Sequence, residues 1–143
     1  MKVHFQKLKS NAKIPQRQTP GSSGYDIFSA NEEDLLIPKG SVVFVPTGLA
    51  LEIEVGFEAQ IRPRSGLSTK HKILLPNSPG TIDADYRGEI LVALLNAGDT
   101  DFVITKGMRI AQMVFAKVET AEFVEGSLQD SDRGQGGFGS TGD

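Results

Sequence analysis

The chain has 143 residues, which is the size of a single domain, and 38% of them are hydrophobic. Its formal net charge of -3 argues against generic nucleic-acid binding, which depends on clustered cations that neutralise phosphates. With no cysteine and only two histidines, the chain lacks the side chains for a disulfide, a thiolate zinc site or a multi-histidine metal site. No apolar run is long enough to cross a bilayer and the first residues lack a secretory core, so we expect no membrane association and a cytoplasmic location.

Glycine and proline, 16 and 7 residues, are spread along the chain and divide it into segments too short for ordinary helices. Alternation of apolar and polar residues predicts strands at 49–55, with Val55 on the apolar face, and at 57–62. Runs that are apolar at successive positions predict strands buried on both sides at 42–45 and 90–95. Further strands are predicted at 102–104 and 110–118. The pattern indicates an all-β fold, a jelly-roll-like barrel or sandwich of short strands.

One short helix is predicted after Pro63, from Ser65 to Lys72. Turns are predicted where glycine interrupts the apolar pattern, at 38–40, 97–99 and 106–107. After Val124 the apolar pattern stops, and a glycine-rich segment cannot bury enough surface to fold alone. The predicted organisation is therefore a β domain of residues 1–124, followed by a mobile arm of residues 125–143.

The segment LPNSPGTIDADYRGE, residues 75–89, carries two aspartates at alternate positions. On an extended strand Asp83 and Asp85 would point to one face. The residues from Asp85 to Gly88 have turn chemistry and precede an apolar strand, which predicts a hairpin. Aspartates are common in turns, so Asp85 is interpreted as a solvated turn residue. Asp83 precedes the turn and is the candidate for a carboxylate that orients and deprotonates a water, the alternative being a second solvated position.

Arg64 and Ser65 lie at the predicted start of the helix, where free N–H groups and a partial positive charge suit a phosphate. The alternative is a capped helix start with Arg64 in solvent. Gln112 lies between apolar residues of the predicted strand in RIAQMVF, and a buried amide must find a hydrogen-bond partner. That partner can be backbone, which is the commoner case, another subunit or a ligand.

The tail contains GQGGFG, which matches G-x-G-x-x-G but has no preceding strand and no room for a following helix, so it is not a dinucleotide fingerprint. Its side chains do suit a nucleotide, because an aromatic ring stacks on a base and glycines admit phosphate oxygens to backbone N–H groups. The candidates are Arg133, Phe138, Ser140 and Thr141. An RNA-binding tail is the rival interpretation, weakened by the aspartates that flank its single arginine. GSSGYD, which ends at Asp26, reads by itself as a turn before a strand.

Five segments, in this order and spacing, resemble the five motifs of the homotrimeric dUTPase family: GSSGYD, PRSGLS, NSPGTIDADYRGE, RIAQMVF and RGQGGFGSTG. The resemblance covers residues 21–142. It implies hydrolysis of dUTP to dUMP and pyrophosphate, which keeps uracil out of DNA and supplies dUMP for thymidylate synthesis. It also implies a homotrimer with shared active sites, and Mg²⁺ held mainly by the triphosphate rather than directly by the protein.

The resemblance further implies roles for individual residues. Asp83 orients the water that attacks the α-phosphorus, and Asp26 is a supporting residue. Tyr86 packs under the sugar and selects deoxyribose. The base is held by Asn77, the backbone of Gly80, Thr81 and Ile82, Leu91, and Phe138 from the arm. The phosphates are held by Arg64, Ser65, Gly66, Gln112, Arg133, Ser140 and Thr141.

Two rival functions follow from the same residues. A deoxycytidine triphosphate deaminase would share the fold but would need an acid/base group, usually a glutamate, acting on the pyrimidine ring. A nucleotide-sensing or protein-binding module would keep the pocket and use its occupancy as a signal. The aspartate at position 83 and the complete set of motifs favour hydrolysis over both.

Overall fold

The computed structural model describes residues 1–137, which form eleven strands and one helix. The strands are β1 (Val3–Lys7), β2 (Tyr25–Phe28), β3 (Leu35–Ile37), β4 (Val42–Pro46), β5 (Leu49–Ile53), β6 (Phe57–Arg62), β7 (Ile73–Leu74), β8 (Gly80–Ile82), β9 (Leu91–Asn96), β10 (Phe102–Ile104) and β11 (Arg109–Lys117), and the helix is α1 (Ser65–His71). Within these residues no helix is long and apolar enough to cross a bilayer.

The strands form four small antiparallel sheets. The largest has the order β2-β11-β6-β8, so the last strand in the sequence lies between two earlier ones. The second has the order β4-β9-β7, and two further sheets pair β1 with β5 and β3 with β10. The result is the jelly-roll-like all-β fold that the sequence predicts.

A single apolar core connects the sheets. Its fully buried members come from nearly every strand, among them Ile27, Ile37, Val45, Leu94 and Ile104. The helix contributes Leu67, its buried side chain. Because short strands have few hydrogen-bonding partners of their own, this common core is what holds the sheets together.

Several predicted elements are confirmed. The helix begins at Ser65, as predicted, and ends one residue earlier than predicted. The strands at 57–62 and 102–104 have the predicted bounds, and β11 covers most of 110–118. Gly40 and Gly107 lie in two of the predicted turns with φ values of 74° and 69°.

The prediction that 42–45 and 90–95 are buried on both sides is wrong for the described chain. Phe44 is 65% exposed and Leu91 is 49% exposed, although Val45, Val92 and their in-facing neighbours are buried. Phe44 pairs with Ala93 and Pro46 pairs with Leu91, so these side chains share one outer face of the β4-β9-β7 sheet. An apolar face of this kind lacks a covering layer within residues 1–137.

Two local predictions also fail, because turns replace extended chain. Val55 is 90% exposed, since β5 ends at Ile53 and residues 55–56 form the turn to β6. No hairpin joins β8 to β9: β8 pairs with β6, while β9 pairs with β4 and β7. Asp83 and Asp85 accordingly lie in a connection between two sheets rather than on one face of an extended strand.

We expect Leu94→Ala to lower the free energy of unfolding by about 2–5 kcal/mol, because it removes a side chain from a closely packed site. Leu94 is 0% exposed in the middle of β9. Val55→Ala is the matched control, with an expected cost below about 0.5 kcal/mol for a side chain in solvent. Denaturant unfolding of both variants measures the difference, and equal costs would contradict the placement of the core.

Candidate active site

The principal pocket lies where β8, the turn after it and the start of β9 meet, and its volume is ≈ 260 Å³. It combines apolar walls with a small number of polar groups, the usual composition of a small-molecule site. Seven residues singled out from the sequence line it: Asn77, Gly80, Thr81, Ile82, Asp83, Tyr86 and Leu91. The structure therefore brings together the described residues that the resemblance assigns to catalysis, base and sugar.

Asn77 reaches this pocket from the connection between β7 and β8. The turn is closed by the Ser78 N–H donating to the Leu75 carbonyl at 3.2 Å, and a cis Ser78–Pro79 bond follows. Gly80 then enters β8 opposite Ile61 of β6. The short strand thus presents the edge of its backbone and the Asn77 amide to the same space.

Tyr86 is held against its own loop. Its N–H donates to the Asp83 carbonyl at 3.2 Å, which closes the turn, and its hydroxyl donates to the Glu89 carbonyl at 2.9 Å. A Cβ on Gly88 would collide with the Tyr86 hydroxyl oxygen, so the ring can occupy this position only beside glycine. Asp83 and Tyr86 both remain exposed in the described chain, which leaves them free to meet a ligand.

A second polar cluster surrounds Asp26 on β2. Its side chain is 11% exposed and accepts hydrogen bonds from Arg64 Nε at 3.1 Å and from an Arg109 terminal nitrogen at 3.1 Å. Gln18 Nε2 donates to the same carboxylate at 2.9 Å. Arg64 also donates to the Arg109 carbonyl at 3.3 Å. Arg64 occupies the N-cap position of α1 but makes no side-chain capping hydrogen bond. Its side chain belongs to an ion-pair network and is not in solvent, which was the alternative considered from sequence.

Gln112 stands opposite both Asp26 and Arg62 in the largest sheet. It is partly buried, and its Nε2 donates to the Pro63 carbonyl at 2.9 Å, so backbone is its partner in the described chain. A Cβ on Gly24, the second glycine of GSSGYD, would collide with Gln112 Oε1, so a larger residue there would require the Gln112 side chain to move. The sequence alone suggested that Asp26 lies in a turn before a strand. The structure instead places Asp26 within β2.

The remaining predicted residues are divided between other places. Ser65 and Gly66 are exposed at the start of α1, beside Arg64. Within residues 1–137, none of the predicted phosphate-binding residues or Asp26 lines the principal pocket. Arg133 Nε donates to the Gly136 carbonyl at 2.9 Å, a contact inside the tail. Phe138, Ser140 and Thr141 lie outside the described residues.

Sequence reasoning missed two charged residues of these clusters. Glu89 lines the pocket, and its Oε1 accepts from the Gly48 N–H at 2.8 Å. Arg109 shares Asp26 with Arg64. Both belong to segments that the sequence marks, NSPGTIDADYRGE and RIAQMVF, but no local pattern shows what either side chain contacts. Gln18, the third ligand of Asp26, lies outside every motif and carries no signal.

Comparison with known proteins agrees with the fold. The dUTPase family model matches residues 10–142. The deoxyuridine 5'-triphosphate nucleotidohydrolase of Rickettsia prowazekii (strain Madrid E) is 53% identical over 99% of this chain and 97% of its own length. The enzyme of the same name from Leptospira interrogans serogroup Icterohaemorrhagiae serovar copenhageni is 51% identical over 99% of both chains. The solved dUTPase of Staphylococcus bacteriophage 80alpha with dUPNHPP has a TM-score of 0.90 at 28% identity, covering 99% of both chains.

The jelly-roll-like fold, together with a pocket that has apolar walls and a few polar groups, is typical of small-molecule-binding proteins and enzymes. The match along nearly the whole chain makes the assignment specific. The chain belongs to the dUTPase family.

Proposed function

We propose that two parts of the site act together when this member of the dUTPase family hydrolyses dUTP to dUMP and pyrophosphate. The pocket beside β8 takes the base and sugar and supplies the base catalyst, and the Asp26 cluster takes the phosphates. The observation that carries the proposal is the convergence of Asn77, Gly80, Thr81, Ile82, Asp83, Tyr86 and Leu91 on one pocket.

Asp83 is the proposed catalytic residue. It is exposed at the pocket wall and follows directly after β8, so its carboxylate can hold a water next to a bound nucleotide. As general base it takes the proton of that water while the oxygen attacks the α-phosphorus and pyrophosphate leaves. Phosphoryl transfer of this kind needs positioning and charge stabilisation rather than a protein nucleophile.

The base and sugar are read by shape and by hydrogen bonds. The Asn77 amide and the backbone of Gly80, Thr81 and Ile82 can pair with the edge of uracil, while Leu91 closes the apolar side. A site whose polar groups pair with uracil rejects cytosine, because the reversed donor and acceptor leave buried groups unpaired, which discriminates by about 10⁴ or more. Tyr86 packs under the sugar, where a ribose 2′-hydroxyl would not fit.

The phosphates are assigned to the basic cluster and to the arm. Two arginines share the single carboxylate of Asp26, which leaves one positive charge in surplus for an anion. Ser65 and Gly66 follow Arg64 in the chain, and Gln112 lies opposite Asp26 in the sheet. We propose that Arg133, Phe138, Ser140 and Thr141, from an arm of residues 125–143, close over the nucleotide and exclude bulk water.

Mg²⁺ is the proposed cofactor, held mainly by the triphosphate. Mg²⁺ commonly binds through substrate phosphates and retained waters with few protein ligands, so it needs no dedicated cage. Among residues 1–137 there is no cluster of three or more histidine, cysteine, aspartate or glutamate side chains that could form one. When bound, the ion would neutralise phosphate charge, while the protein's own arginines, hydroxyls and backbone groups position the nucleotide. The cytoplasmic location expected from the sequence stays a prediction.

A homotrimer with shared sites is proposed because the two halves of the site are separate in one chain. The pocket contains Asp83 and Tyr86 but neither Arg64 nor Gln112 within the described residues. Phe44 and Leu91 line the pocket and also form an exposed apolar face, which a second subunit would cover. Cyclic symmetry repeats one heterologous interface, so each of three interfaces would then form one complete site.

The direct test is a panel of nucleoside triphosphates incubated with Mg²⁺ and the purified protein. We expect release of pyrophosphate from dUTP, little from dCTP, dTTP or UTP, and no ammonia. Asp83→Asn should lower kcat by about 10²–10⁴-fold, the usual contribution of a general base, while dUTP binding measured by calorimetry persists. Asp85→Asn is the matched control, since Asp85 is exposed in the turn and does not line the pocket.

Three outcomes of these experiments would contradict the proposal. Ammonia release from dCTP would indicate a deaminase, with Glu89 rather than Asp83 as the acid to examine. Tight dUTP binding without turnover by the unmutated protein would indicate a sensor. Full activity of Asp83→Asn would remove Asp83 from the reaction.

For the arm, we expect a chain ending at Asp132 to lose about 10²-fold or more in kcat/KM, because open sites lose positioning. The thermal transition should not change, since the removed residues that the structure describes, 133–137, belong to no strand or helix. A chain that lacks only Asp143 is the control. Full activity of the chain ending at Asp132 would mean that the arm takes no part in hydrolysis.

Shared sites predict complementation between two defective variants. Asp83→Asn and Arg64→Gln subunits, unfolded together and reassembled at equal amounts, should recover about one quarter of wild-type activity, because one interface in four joins two intact halves. Asp83→Asn mixed with Tyr86→Ala is the control, because both defects then lie in the same half and cannot complement in this way. Recovery no greater in the first mixture than in the second would mean that each chain carries its own complete site.

A further inference from the structure

Glu89 is the second acidic residue of the principal pocket, and the proposed reaction gives it no role. Its carboxylate accepts from the Gly48 N–H at 2.8 Å, and its backbone carbonyl accepts from the Tyr86 hydroxyl at 2.9 Å. One residue therefore links the tyrosine to the turn between β4 and β5. Because the carboxylate is engaged with backbone, Glu89 is suited to hold the loop rather than to act on a substrate.

The turn to which Glu89 is attached is itself part of the core. Thr47 is 1% exposed, and its hydroxyl and its N–H both donate to the Ile90 carbonyl, at 2.8 and 3.3 Å. The Ile90 N–H donates to the Leu49 carbonyl at 2.8 Å, and the Ile90 side chain is 1% exposed. These bonds fix the backbone on the C-terminal side of the tyrosine loop to a buried, hydrogen-bonded support.

Tyr86, in contrast, is 44% exposed. Its hydroxyl donates to the Glu89 carbonyl, and Gly88 lies close to the ring. A shift of the Glu89 backbone would therefore displace the acceptor of the Tyr86 hydroxyl. A site that excludes a group by shape fails when its wall can retreat by about 1 Å, so the position of this ring has to be fixed by its neighbours.

We propose that the hydrogen bond between the Glu89 carboxylate and the Gly48 N–H sets the position of the Tyr86 ring and thereby determines the discrimination between dUTP and UTP. The inference rests on the proposed function, in which Tyr86 packs under the sugar. Glu89 is then a positioning residue that acts through Tyr86. Its loss should admit the ribose 2′-hydroxyl while leaving the recognition of uracil unchanged.

The experiment compares kcat/KM for dUTP and for UTP in Glu89→Ala, Glu89→Gln and the unmutated protein. Glu89→Ala removes the acceptor and should narrow the ratio of dUTP to UTP by about tenfold, the loss expected for one charged hydrogen bond. Glu89→Gln retains an oxygen that can accept from Gly48 and should restore most of the ratio. Glu32→Ala, an exposed acid in the connection from β2 to β3, is the control for loss of charge.

The ratio separates positioning from general damage, because a merely destabilised protein loses both activities together. An unchanged ratio in Glu89→Ala would overturn the inference. So would a Glu89→Gln ratio as low as that of Glu89→Ala, since charge and not the hydrogen bond would then be responsible. If Glu89→Ala does not fold, Glu89→Asp shortens the side chain by one methylene and withdraws the carboxylate from the Gly48 N–H. It should narrow the ratio of dUTP to UTP in the same direction, and an unchanged ratio there would again overturn the inference.

Tyr86→Ala distinguishes this inference from the function on which it rests. Its dUTP to UTP ratio should fall further than that of Glu89→Ala, and adding Glu89→Ala to it should change the ratio no more. If Tyr86→Ala leaves the ratio unchanged, the proposed sugar contact is wrong. If Tyr86→Ala lowers the dUTP to UTP ratio and Glu89→Ala does not, the proposed sugar contact is supported and the proposed role of Glu89 is wrong.

Discussion

The position of β11 between β2 and β6 is the constraint on which the polar half of the site depends. Its register places Gln112 opposite Asp26 on one side and Arg62 on the other, so segments far apart in sequence meet across one strand. Asp26 can stay nearly buried as a carboxylate because two guanidinium groups reach it. An unpaired buried charge would be costly, whereas this arrangement leaves a surplus of positive charge at the surface.

The other half of the site depends on a connection between sheets. The loop after β8 leaves the β2-β11-β6-β8 sheet, turns at Asp83 to Tyr86, and enters the β4-β9-β7 sheet at Leu91. The pocket forms at this change of sheet, where backbone edges are unpaired and side chains from both sheets converge. Within one chain, this pocket and the basic cluster around Asp26 are separate. This separation is the physical basis for proposing that subunits share each site.

The same proposal explains why the outer face of β4 and β9 carries apolar residues. Their sequence pattern predicts burial on both sides, and Phe44 and Leu91 are nevertheless exposed in one chain. The pattern reports the environment that the residues require, which one chain supplies on one face only. In the proposed homotrimer the second face would be covered by a neighbour, so the pattern and the exposure are compatible.

The sequence was sufficient to predict the elements that depend on residues close together in the chain. Proline and glycine mark the turns, alternation marks β6, and the short helix after Pro63 follows from a polar start and a few residues of helical spacing. The motifs of the dUTPase family likewise name most of the candidate site residues, since each motif is contiguous. What the sequence determined was therefore the class of fold, the family and which segments matter.

Pairing between distant segments was decided only by the tertiary structure. The turn chemistry from Asp85 to Gly88 predicts a turn two residues after the observed one, which runs from Asp83 to Tyr86, and it cannot say that β8 pairs with β6 instead of β9. The contacts of Arg109 and Gln18 with Asp26, and of Glu89 with Gly48, join residues 83, 8 and 41 positions apart. Local propensity acts over a few residues, whereas strand partners and buried ion pairs are selected by the packing of the whole core, which is why these contacts had no signature in the sequence.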